Sequence, residues 1–138
     1  LNPPLGDTEP WEHGPAENFW RTLQKEGASE IPVLIDSRCA HGWPRENDFP
    51  PVFEDWSGDM PGLGRVSAAE HGMGRFCLRR HEEGVNVLFM DLGVRRVGLK
   101  ELWTLKWHRN FFVNGQWTRA GGVQPTDWPQ WMRDLDDY

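Results

Sequence analysis

The sequence predicts a small α+β domain: a short antiparallel sheet, one or two short helices packed on it, and long ordered loops. Three observations carry that reading. The chain has 138 residues, a length that suits a single domain over 1–138 burying roughly two-thirds of its unfolded surface. Its 15 Gly and 11 Pro punctuate it into short elements. Residues 74–98 hold short runs of β-formers separated by tight turn residues, the pattern of a meander.

Taken in order, residues 1–14 are rich in Pro, Gly and acids and read as an extended lead-in. The opening LNPPLGDTEP lacks Met and starts in loop-like sequence, so a segment upstream is expected. Residues 15–26 read as a helix, with Pro15 at its first position, Glu17 in the first turn and Gly27 closing it. Ala16, Phe19, Trp20 and Leu23 would share one face. Residues 31–36, IPVLID, read as a strand. Pro32 cannot donate to a ladder, so this strand belongs at an edge.

Residues 37–73 show little periodicity and read as a long functional loop. The meander follows, with strands at 74–80, 85–91 and 94–98. EEG (82–84) and Leu92-Gly93 form the connections. In the middle strand Val85, Val87 and Phe89 point one way, and Leu88 and Met90 the other. A strand apolar on both faces is expected in the middle of a sheet, covered on both sides. Residues 99–108 read as a second helix, with Leu99, Leu102, Trp103 and Lys106 at helical spacing and His108 and Arg109 at its end. Residues 109–138 form an irregular, Trp-rich tail that wraps the domain.

Composition excludes several functions. A net charge of −6 gives no polyanion-binding surface, so no nucleic-acid partner is expected. No apolar run approaches the ~20 residues that span a bilayer. There is no G-x-S-x-G, no phosphate-binding loop and no H-E-x-x-H, so no enzyme chemistry is expected.

His81 and Asp91 are separated by nine residues. As turn residues at opposite ends of one strand they would stand on the order of 20 Å apart, too far for a dyad or a shared metal. His81 is expected to close the first turn. Asp91 is expected to cap the second through a backbone N–H two residues on. Cys39 and Cys77 allow one disulfide, which would favour an oxidising compartment, or two buried thiols. Together with His41 and His81 they have a zinc composition. Residues 77 and 81 would stand about 13 Å apart on a strand, however, which argues against a shared ion. Asp48, Glu54, Asp55 and Asp59 offer oxygen ligands for calcium on the long loop, without EF-hand spacing. No other cofactor is expected. Trp117, Trp128 and Trp131 could form an interface or a ligand platform.

The block HEEGVNVLFMD (81–91) is similar to the H-X9-DG motif of the C-terminal domain of prepilin-type, pseudopilin-like proteins, a group abundant in planctomycetes. VRRVGLKELWTLKWHRNF, the closing AGGVQPTDWPQWMRDLDDY, and EIPVLIDS followed by GWPREND resemble the same group. The resemblance runs from about residue 28 to the end. It departs at one place: Leu92 follows Asp91, and Gly93, the expected left-handed turn residue, comes one position later. The resemblance implies a pilin-like globular domain outside the inner membrane, at the cell surface or in the periplasm. It would assemble with copies of itself or other pilin-like subunits into a filament or a secretion pseudopilus. Membrane attachment would come only through an N-terminal hydrophobic helix, supplied upstream or by a separate chain. The alternative is a secreted carbohydrate- or surface-binding module using the C-terminal tryptophans.

Overall fold

The computed structural model describes residues 16–22, 25–38, 42–54, 59–60, 64–65 and 72–138. Its strands are β1 (Pro32–Ile35), β2 (Asp59–Met60), β3 (Gly64–Arg65), β4 (Gly84–Phe89) and β5 (Val94–Gly98). β1, β4 and β5 form an open antiparallel sheet in the order β1-β4-β5, and β2 and β3 form a separate small ladder. Among the described residues, short 3-10 turns supply the helical content: Ala16–Asn18, Ala28–Glu30, Gly72–Arg75, Lys100–Thr104, Pro125–Asp127 and Gln130–Met132. This is a small α+β-like arrangement.

β4 takes the centre because alternate positions along it carry apolar side chains for the core. Val85, Val87 and Phe89 are buried at 0–2% exposure, and with Val97 of β5 they form the inner face. β1 lies at an edge, as Pro32 requires, and its register with β4 shifts between Pro32 and Leu34.

Three expectations are corrected. Residues 74–80 are not a strand. Gly72–Arg75 is a 3-10 turn, and beyond it Leu78 N–H bonds the Phe76 carbonyl and Arg80 N–H the Leu78 carbonyl. Phe76, Cys77 and Leu78 are buried in succession within this turn-bonded stretch. The third strand is β1 instead. Within 15–26, only Ala16–Asn18 is helical among the described residues. The Asn18 carbonyl accepts from Arg109 N–H across the fold, so it does not continue a helix. The 99–108 helix shrinks to Lys100–Thr104, because Leu105 turns extended and Lys106 N–H bonds the Glu30 carbonyl. Leu99, Leu102 and Leu105 are all buried at 0–1%. Their spacing of three matches the three residues per turn of a 3-10 helix.

The tail closes the core. Trp128 is 1% exposed and meets Trp103 edge-on, with centroids 5.4 Å apart. Burying a ring of this size contributes on the order of 5 kcal/mol of gross transfer free energy. The fully buried Lys100 amine donates to the Leu135 carbonyl (2.9 Å) and to Asp137 Oδ1 (2.7 Å), and lies 5.2 Å from the Trp128 ring centre. Arg119 N–H then bonds the Tyr138 carbonyl.

Candidate assembly surface

The sheet has one packed face and one open face. The register places Leu34 beside Leu88, and Leu88 beside Val94, so these three side chains form a row across all three strands. Leu34 is 65% exposed and Val94 71%. The expectation that both sides of β4 are covered is therefore overturned: Leu88, on the open side, is only half-buried. A second row on the same face pairs Asn86 with Arg96, and a third pairs Gly84 with Gly98. Tyr138 lies against the bare Gly98, where an added Cβ would come within 2.7 Å of its hydroxyl oxygen.

Polar groups frame this face. Asp36 Oδ2 accepts from Asn86 N–H (2.9 Å) and lies 2.9 Å from His81 Nε2. Asp36 thus ties the end of β1 to β4 and to the turn before it. His81 N–H bonds the Gly84 carbonyl, closing the turn as its sequence position suggested. Between them Glu82 and Glu83 are both left-handed, at φ 48° and 73°. This is the φ pattern of a two-residue type I′ hairpin turn, which normally takes Asn-Gly. Arg96 donates to the His81 and Glu82 carbonyls and to the Glu82 carboxylate, and Arg79 pairs with Glu83.

At the other end of β4, Asp91 Oδ1 accepts from Gly93 N–H at 2.8 Å, the predicted cap. His81 and Asp91 stand at opposite ends of β4 and share no chemistry. The left-handed residue is not Gly93. It is Leu92, at φ 68°, following a turn in which Leu92 N–H bonds the Phe89 carbonyl and Phe89 N–H bonds the Gly93 carbonyl. Such a turn needs a left-handed residue after its two central positions, and Leu92 falls there by chain position. Leu92 is also 79% exposed.

The other predicted sites do not converge. Cys77 is a free, buried thiol, while Cys39 and His41 lie outside the described residues. Asp48 is 4% exposed, which corrects its reading as a loop calcium ligand. Its Oδ2 accepts from Arg45 N–H (3.0 Å) and Met73 N–H (2.9 Å), and its carbonyl accepts from Trp103 Nε1. It pins the 42–48 segment to the core. Glu54 is exposed; Asp55 lies outside the described residues, and of Asp59 only the backbone is described. Among the described residues, no three His, Cys, Asp or Glu side chains gather where they could hold a metal.

The tryptophan platform is corrected as well. Trp128 is core, Trp117 is half-buried between Trp128 and Phe49, and the Trp131 indole donates to the Pro51 carbonyl at 2.8 Å. These rings could not lie open together because the tail's burial depends on them. An open cavity of about 470 Å³ lies between the 20–31 and 104–113 segments, with Trp20, Lys25, Glu30, Lys106 and Arg109 in its lining. Among the described residues its lining brings cations and carboxylates together beside the Thr104 side chain.

Sequence reasoning missed Asp36, Leu34 and Arg96. Their roles depend on the pairing of β1 with β4 and on the register of β5, neither of which has a local signal. Comparison with protein-family models, curated proteins and solved structures gives no match to this chain. Among the described residues no helix is long and apolar enough to cross a membrane.

Proposed function

We propose that this chain is a structural subunit that works by assembly: the extracytoplasmic globular part of a pilin-like or pseudopilin-like filament. The observation that carries the reading is the uncovered Leu34–Leu88–Val94 row. Exposed apolar groups aligned across a sheet gain free energy when a neighbour covers them, about 25 cal/mol per Å² removed from water. The resemblance supports the same reading, since the HEEGVNVLFMD block forms the central strand and both of its turns. In this reading a hydrophobic helix, supplied upstream or by another chain, holds the subunit to the filament axis. The domain itself supplies the lateral contacts.

Leu34→Glu tests this. Leu34 lies on the open face at an edge, so the charge costs the isolated domain less than about 0.5 kcal/mol. In cells that make the full subunit, the variant is expected to be produced at normal levels and to leave no filaments under the electron microscope. Unchanged filaments overturn the role of this face. Wild-type cells without filaments overturn the reading itself.

A further inference from the structure

The two edges of the sheet differ. β1 carries Pro32, which has no N–H, and a register shift, both devices that blunt an edge. β5 carries neither, and its register with β4 is regular from Val94 to Gly98. Gly98 N–H points away from β4 and donates to Glu101 Oε2. The two-residue alternation of an antiparallel ladder turns the Arg96 and Val94 amides and carbonyls outward on the same side. Glu101 caps only the last of the three. Beside this edge stand two of the most exposed apolar side chains described, Leu92 and Val94, and the left-handed backbone of Leu92.

We propose that β5 pairs antiparallel with β5 of a second copy of this chain, about a two-fold axis through Arg95. This merges the two sheets into one. It rests on the assembly reading and names a first contact within it.

The register follows from which groups are free. Outward-facing residues must oppose outward-facing residues. Centring on Arg96 would claim the Gly98 amide, which Glu101 already holds. Either centring sets one arginine opposite its own copy, and both Arg95 and Arg96 are paired with carboxylates in the single chain, so like-charge repulsion does not choose between them. Centring on Arg95 places Val94 opposite Arg96 of the second copy and the reverse, and uses just the free amides and carbonyls. The two Arg95 side chains then meet on the inner side, each already paired with Glu30 and Glu101. The same register brings Leu92 alongside Gly98 of the second copy, where Tyr138 lies over the open face. Leu92, Val94 and Tyr138, all exposed in the single chain, are covered by one contact. That accounts for a large apolar residue at a left-handed position, where glycine would be easier.

The test uses sedimentation velocity on the 138-residue chain up to about 1 mM, with amide hydrogen exchange read at each concentration. The wild type is expected to dimerise. Val94 and Arg96 amides gain protection as it does, and the Gly98 amide does not change. Val94→Pro removes one edge donor and is expected to abolish dimerisation, while Val94→Thr retains it. Leu92→Gly is expected to weaken the dimer by about tenfold while melting no lower than the wild type, because it relieves the strained turn. A chain that stays monomeric, or a dimer indifferent to both Val94→Pro and Leu92→Gly, overturns the β5 contact. If filaments still form in either case and are lost in Leu34→Glu, the assembly reading stands without this contact.

Discussion

Cys77 is buried to 1% of its surface, and burial pushes its thiol well above the usual range, with the Asp48 carboxylate adding to the effect. The folded chain therefore keeps this proton beyond the pH, about 9, at which an unfolded chain releases it. Above that pH the native state binds more protons than the unfolded state, so stability falls as pH rises, by roughly 1.4 kcal/mol per pH unit from this group. Urea unfolding between pH 7.5 and 10 is expected to show that fall in the wild type and a flatter one in Cys77→Ala. Parallel curves would mean that the thiol does not couple to folding. At this scale the sequence was informative for Asp91, whose cap is local. It was silent on Asp48, because an acid in a Pro-rich loop looks the same whether solvated or bonded to Met73 N–H, 25 residues away.

The β4–β5 hairpin was legible because its alternation and turn residues are local. The turn before it was placed correctly, but two left-handed glutamates were not foreseeable from propensity. Their strain gives a prediction. Glu83→Gly is expected to stabilise the domain by about 0.5–1 kcal/mol, since glycine adopts φ near 73° without a Cβ penalty, partly offset by losing the Arg79 pair. Denaturant unfolding checks this, and destabilisation would show that the Glu83 side chain outweighs its backbone strain. The variant should leave self-association unchanged, which separates this turn from the one at Leu92. The two helices failed for a shared reason. Carbonyls and amides expected to bond along each helix bond across the fold instead, Asn18 to Arg109 and Lys106 to Glu30. A leucine spacing of three was present at 99, 102 and 105 and could have indicated the tighter turn.

Across the whole molecule, the C-terminal tail is held by a buried cation. Lys100 has no exposed side-chain surface and spends its protons on Leu135 and Asp137. Removing one partner of such a pair is costly, because the other loses its compensation. Lys100→Met is expected to destabilise the domain by about 2–4 kcal/mol. Asp137→Asn should cost less, since the Leu135 carbonyl still holds the amine. Urea midpoints give the order, and carboxypeptidase should trim the tail faster in Lys100→Met. An unshifted midpoint in that variant would show that Lys100 does not hold the tail.

Short-range physics makes four features legible along the chain: the hairpin at 84–98, the edge character that Pro32 imposes on β1, the Asp91 cap and the wrapping of a tail rich in tryptophan. Long-range packing sets which strand pairs the far side of β4, which tryptophan is core, and which apolar residues remain uncovered. Leu34, Leu88 and Val94 have no common signature along the chain, since they lie up to 60 positions apart. They become one surface only because two strand registers set them in a row, and register is fixed by burying the inner face.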